Sequence, residues 1–429
     1  MELIPKFLIF PMGLKDKRHK VKPLNSKPRH LNHFSNMTTT THKLVTAPTS
    51  SIRFGLHLLP VLLVAGCMSS NVQGEQNHAD APTITVLHLK GTWFEMGKQY
   101  GKAMIKPMRQ VLQYAEKCAT DASDHYLLPN GFPCGIDFLD RFVEGVSAGS
   151  GLSMAELMRI NGVEVAYGND LLKYFGPEAA GQCSALALFG DKTQNGQMIY
   201  GRNYDWLPAF SELGFVLTYF QPEGSELEFA TINYPGCFYL TTGMNSTGLF
   251  VELNAGIFAS AEDNPKILHN AWALWHVLTQ AKTTDQAVKI LNALPSRSAY
   301  IIGVADSQKS VSFEWGCHKS CVLSEPNSTG FLAMTNHFVQ PGWQNLPIAD
   351  GGKNSSVSRR CAIVRLAEKV PPHSANLDTM KRIISTTVDS GGAMWDGTLF
   401  QVVAIPEKKE MHIHCRGNNT WEQFTFSKP

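Results

Sequence analysis

GQCSALALFGDKTQNGQMIYGRNYDW, residues 181–206, decides the reading of this chain. Ser184 to Phe189 and Met198 to Arg202 are short runs of strand-forming residues, and Gln194-Asn195-Gly196 between them is a turn signal, so the stretch predicts a β-hairpin. A hairpin of that length returns Arg202 and Asp205 to the side of Cys183. A thiol, a cation and a carboxylate then share one small site.

That trio suits a cysteine whose base is its own α-amine. An N-terminal amine has a pKa of roughly 8 and takes the thiol proton over a short path. The chemistry requires the chain to be cut between Gln182 and Cys183. In the freed chain Asp205 would hold the amine and Arg202 would favour the thiolate.

After Cys183 the sequence reads as sheet, with strands expected over 198–202, 215–219, 249–253, 300–304, 311–315, 399–405 and 411–415 besides the first. Helices are expected over 271–294, 361–370 and 377–384. Before Cys183, a strand (Thr83 to Gly91) leads into a long amphipathic helix to Ala119, and Leu157, Ile160, Val163 and Tyr167 recur at helical spacing. Strands that alternate with helices in this order predict an α+β body of packed layers.

The block at 181–206 resembles the N-terminal-nucleophile (Ntn) hydrolases of the choloylglycine hydrolase and penicillin V acylase group. Within it the chain is similar to the acyl-CoA:6-aminopenicillanic acid acyltransferase-like branch (peptidase C45) over most of residues 85–417. Gly91 to Gly97 (GTWFEMG) and Ser153 to Tyr167 (SMAELMRINGVEVAY) look like that branch's pro-segment. Gly243 to Leu249 followed by Asn254, Thr335-Asn336-His337-Phe338, and Ser355 to Arg359 resemble its later motifs.

The resemblance implies a four-layer αββα Ntn-hydrolase fold, with residues 83–182 as an N-terminal helical pro-segment and 183–429 as the catalytic body. It implies Cys183 as nucleophile, Arg202, Asp205 and Arg359 beside it, and Asn254 and Asn336 as oxyanion donors. The substrate would be a small-molecule N-acyl amide, penicillin-like or linear, and no cofactor would be needed. The chain departs from the branch at Gln182, where glycine is usual. A side chain there restrains the strained backbone that self-cleavage needs.

The first 66 residues hold 10 Lys/Arg against 2 Asp/Glu; with +2 over the whole chain, about −6 is left for the rest. A mildly acidic body has no footprint for nucleic acid. Phe54 to Ala65 is an apolar run too short to span a bilayer, and Val64-Ala65-Gly66-Cys67 resembles a bacterial lipobox. Residues 1–66 are thus expected to be a leader, with a start at Met37 giving one of ordinary length, and 67–82 a polar linker. An exported, periplasmic lipoprotein anchored through Cys67 is the expectation.

Nine cysteines allow bridges, with Cys118–Cys134 and Cys317–Cys321 as candidates. His412 and His414 share a strand face beside Cys415 but lack a fourth ligand, so no metal is expected. Three rival readings stay open: an acyltransferase of the same family using an amine acceptor, a thiol protease with a Cys-His pair, and a binding lipoprotein that kept an Ntn-like fold without activity.

Overall fold

The structure is a computed structural model that describes residues 84–118, 134–163, 183–206, 208–256, 272–296, 299–316, 319–341, 343, 352 and 354–426. The leader, the Cys67 lipidation site, the linker and Gln182 lie outside the described residues. Ahead of Cys183 stand β1 (Thr85–Gly91), α1 (Trp93–Cys118), α2 (Asp137–Ser150) and a third helix, α3, described over 154–163.

The body follows as β2 (Ser184–Gly190), β3 (Gly196–Asp205), β4 (Val216–Pro222), β5 (Phe229–Asn233), β6 (Thr242–Asn245) and β7 (Phe250–Ala255). After α4 (Ala273–Gln280) and α5 (Thr284–Ala293) come β8 (Tyr300–Ala305), β9 (Ser310–Trp315), β10 (Ser320–Leu323) and β11 (Phe331–Met334). The last elements are α6 (Ser356–Glu368), α7 (Leu377–Ile384), β12 (Thr398–Ile405), β13 (Glu410–Cys415) and β14 (Glu422–Thr425).

The strands form two sheets, one in the order β1-β4-β5-β6-β7-β8-β9-β10 and the other β11-β2-β3-β12-β13-β14. Among the named strands of the described residues only β1 pairs in parallel, on β4, and it comes from upstream of Cys183. The hairpin β2–β3 has the anticipated register, with Ala185 opposite Arg202 and Ser184 opposite Asn203.

Period-two alternation sorts β2 into two cores. Ala185, Ala187 and Phe189 face the first sheet, whereas Leu186 and Leu188 join Ile199, Val403, Ile363, Met380 and Ile383 beneath α6 and α7. On the far side of the first sheet, Phe142 of α2 packs edge-on to Phe220 and Trp275 of α4 on Phe229. Helix, sheet, sheet, helix is the αββα order.

Three expectations need correction. The predicted helix 271–294 is two helices, because Thr283 adopts an extended backbone and caps α5 through its hydroxyl to the Gln286 N–H. Neither candidate disulfide is formed, since Cys134 and Cys321 are free thiols. Five strands escaped prediction: β5, β6, β10, β11 and β14 are only four or five residues long. Runs that short carry little periodicity.

Candidate active site

The hairpin delivers Cys183 at the start of β2 and Arg202 and Asp205 on β3, at one end of the second sheet. The Cys183 thiol donates to the Asp205 backbone carbonyl at 3.7 Å, and Arg202 Nη2 stands 3.8 Å from Sγ. Neither neighbour is a histidine. Arg202 is fully buried and reaches across to the first sheet. Its Nη1 donates to the Thr241 carbonyl and to Thr242 Oγ1 (2.6 Å), and Nη2 donates to the Leu253 carbonyl (2.8 Å).

Glu252, in the middle of β7, faces Arg202 Nη1 with Oε2 at 3.5 Å, both side chains fully buried. Its Oε1 accepts from Tyr200 Oη (3.1 Å) and from Asn254 Nδ2 (2.9 Å), the latter two residues along the same strand face. Asn336, just after β11, donates from Nδ2 to the Ala255 carbonyl (2.9 Å) and accepts at Oδ1 from Arg359 Nη2 (3.0 Å). Arg359, on the first turn of α6, donates from Nη1 to the Cys183 carbonyl at 2.8 Å.

The contacts close a ring: Cys183, Arg359, Asn336, the Ala255 carbonyl, Asn254, Glu252, Arg202 and back to Cys183. Five of the six residues expected of the site are in this ring, and the sixth, Asp205, meets the Cys183 thiol through its backbone carbonyl. Glu252 was not anticipated, though a carboxylate inside Phe250–Ala255, two residues before Asn254, was the available signal. Thr241 and Thr242 gave none. Asn245, in the motif before Asn254, is structural: its Nδ2 holds the Leu278 and Ala281 carbonyls and its Oδ1 accepts from Thr247 and Leu249 N–H.

Burial dominates the electrostatics. It pushes the Cys183 thiol up to about 11, against the pull of Arg202. Burial likewise raises Asp205 to about 7, opposed mainly by Arg359. Thr398 and Trp395 lie by the Asp205 carboxylate and, after Arg359, oppose that rise. Glu252 is also raised by burial, with Arg202 opposing. Burial lowers Arg359, which Asp205 and the thiol partly restore.

His337 sits behind Asn336, with Nδ1 2.7 Å from Ser356 Oγ, and burial pushes it down to about 4. A cavity of about 660 Å³ is walled by Asn354, Trp395, Thr398, Phe400, His414 and Arg416; it reaches Trp395 and Thr398, the neighbours of Asp205, but none of the six site residues lines it. That volume falls in the range of small-molecule pockets. No cluster able to hold a metal exists among the described residues; His414 instead contacts the Asn418 carbonyl at 2.9 Å.

A buried cysteine at a strand start thus lies between two sheets beside two guanidinium groups, two carboxylates and two carboxamides, on an Ntn-hydrolase fold. The comparisons agree at family level. The profile described as "Acyl-coenzyme A:6-aminopenicillanic acid acyl-transferase" matches residues 192–420, and the chain belongs to that family. The match begins downstream of Cys183. Among curated proteins, none matches this chain.

Solved structures that are similar include a Caenorhabditis elegans N-acylethanolamine-hydrolyzing acid amidase ortholog, 18% identical over 52% of this chain and 93% of its own, at a TM-score of 0.41. Penicillin V acylase from Agrobacterium tumefaciens is 16% identical over 57% of this chain and 86% of its own, at 0.40. A variant of the conjugated bile acid hydrolase from Clostridium perfringens is 15% identical over 57% and 92%, at 0.39.

Proposed function

We propose that this protein is a self-processing cysteine amidase that splits its chain between Gln182 and Cys183 and then cleaves N-acyl amides through a Cys183 thioester. The observation that supports it best is the ring itself. It fixes the Cys183 thiol by Arg202 and the Cys183 carbonyl by Arg359, which restrains the nucleophile at both ends.

In the intact chain the Cys183 nitrogen is part of a peptide and cannot act as a base. The thiol attacks the Gln182 carbonyl, the peptide N–C bond breaks, and the Cys183 nitrogen leaves as an amine that takes up a proton. Water then cleaves the resulting thioester, giving a Gln182 carboxylate and restoring the thiol. Asp205, raised to about 7, is poised to exchange a proton near neutrality.

In turnover the freed α-amine takes the thiol proton and Sγ attacks the substrate carbonyl. Asn254 and Asn336 each carry two hydrogens on Nδ2, so one can bond within the ring while the other meets the oxyanion. The leaving amine takes its proton from the α-ammonium. Water, deprotonated by the α-amine, releases the acid and the enzyme.

The substrate is a small-molecule N-acyl amide, a reading the family match supports. The family match favours an amine acceptor as a second reading, in which the amine replaces water at the thioester. Export and lipidation at Cys67 belong to the same proposal. Loss of fatty-acid labelling in Cys67→Ser tests them.

The primary test is intact mass and N-terminal sequencing of the wild type beside Cys183→Ala. The wild type should yield a fragment starting at Cys183 of about 27 kDa, that is 247 of 429 residues of a 47.3 kDa chain. Cys183→Ala should remain whole. A wild type that stays uncut yet is active removes the α-amine as base.

A further inference from the structure

We propose that Asn161, upstream of the cleavage point, is a positioning residue for Arg202 and through it for the Cys183 thiol. The inference rests on the reading of Cys183 as nucleophile. Asn161 is fully buried on α3, inside the segment Ser153 to Tyr167. Its Nδ2 donates to the Gly236 carbonyl at 2.9 Å and to the Leu157 carbonyl at 2.8 Å, and its Oδ1 accepts from the Phe238 N–H at 2.6 Å. From α1, Tyr100 Oη accepts the Gly236 N–H at 2.9 Å.

These bonds shape the buried loop 234–241 between β5 and β6 from outside the catalytic body. Gly236 has a φ of +80°, and a Cβ there would lie 2.9 Å from Met108 Cγ and 3.0 Å from Ile160 Cγ2. The chain before Cys183 therefore meets the loop at backbone distance. From the body side, Asn233 Nδ2 donates to the Tyr239 carbonyl (3.2 Å) and Trp275 Nε1 to the Phe238 carbonyl (2.9 Å). The loop ends at Thr241 and Thr242, the two acceptors of Arg202 Nη1.

A continuous path results: Asn161 and Tyr100 hold Gly236 and Phe238, the loop places Thr241 and Thr242, and these place the guanidinium 3.8 Å from Sγ. Removing the Asn161 amide leaves the buried Gly236 carbonyl without that donor. Buried peptide groups do not tolerate this, so the loop shifts. The guanidinium moves with its acceptors, and the cation that favours the thiolate recedes.

The test uses processed protein and follows alkylation of Cys183 by iodoacetamide as a function of pH, read by mass on the Cys183 fragment. Wild type is compared with Asn161→Ala, Tyr100→Phe, Arg202→Met and Leu139→Ala. Tyr100→Phe removes only a hydroxyl, so it keeps the shape of the core. Leu139 is a buried α2 residue that shares none of these bonds, and its truncation controls for lost stability.

Both Asn161→Ala and Tyr100→Phe should raise the alkylation midpoint by about half to one pH unit, slowing reaction at neutral pH about three- to tenfold. Leu139→Ala should lower the melting temperature and leave the midpoint in place. Wild-type midpoints in both Asn161→Ala and Tyr100→Phe, or an equal shift in Leu139→Ala, overturn the inference. A wild-type midpoint in Arg202→Met, which removes the cation, overturns the reading of Arg202 itself, and this inference falls with it.

Discussion

A carboxyl group walled from water holds its proton longer than an exposed one, and burial puts Asp205 in that position at about 7 against an ordinary 3.8. Above pH 4 the unfolded chain sheds this proton while the folded chain keeps it. The stability that Asp205 contributes is therefore fully present below its unfolded pKa and is lost as pH rises through 7. The full difference is on the order of 4 kcal/mol. In a Cys183→Ala background, which stays whole, Asp205→Asn should flatten the fall in urea stability between pH 4.5 and 7.5. Parallel pH profiles with and without the substitution would refute this placement. Cys183, Arg202 and Asp205 were legible because a turn signal and two strands fixed their mutual distance. Glu252 was not, because its role depends on β7 stacking over β3, a contact between distant segments that no local pattern encodes.

At the scale of elements, that stacking leaves no room on β8. Gly303 lies opposite Glu252 in the β7–β8 ladder, and a Cβ there would meet the Tyr200 hydroxyl and lie 2.5 Å from Glu252 Oε1. Gly303→Ala forces one of the two aside, and overpacking of this kind costs about 1–3 kcal/mol. Because Glu252 holds both Arg202 and Asn254, turnover should fall about tenfold or more while the fold persists. Steady-state kinetics together with a melting curve check this, and unchanged turnover would remove Glu252 from the site. The nine longer strands were legible from runs of apolar residues. The short ones were not, since β6 and β11 are strands only because longer neighbours offer them ladders. Helix α6 was foreseen from residue 361, and its true start at Ser356, capped by the Ser355 side chain, is what puts Arg359 on the first turn facing Cys183.

For the molecule as a whole, the segment before Cys183 is built into the body as one more layer and one more strand. β1 pairs with β4 over seven residues, from Thr85–Val216 to Gly91–Pro222, so its departure would bare a buried sheet edge. Aromatic contacts cross the same boundary: Trp93 with Phe229 and Trp275, Tyr100 with Phe238, Phe142 with Phe220, and Tyr114 with Phe210. Each buried aromatic or aliphatic side chain of α1 and α2 contributes about 1.5–3 kcal/mol. Ten lie in the common core, among them Met96, Met104, Met108, Val111, Leu139, Val143 and Val146. Their combined contribution exceeds the roughly 4–15 kcal/mol that holding two separate chains together costs in lost freedom. Splitting at Cys183 should therefore leave a two-chain enzyme whose fragments co-elute in native size exclusion and separate only in denaturant. A Cys183 fragment that elutes alone and still turns over substrate would show that the ring of side chains stands without the upstream layer.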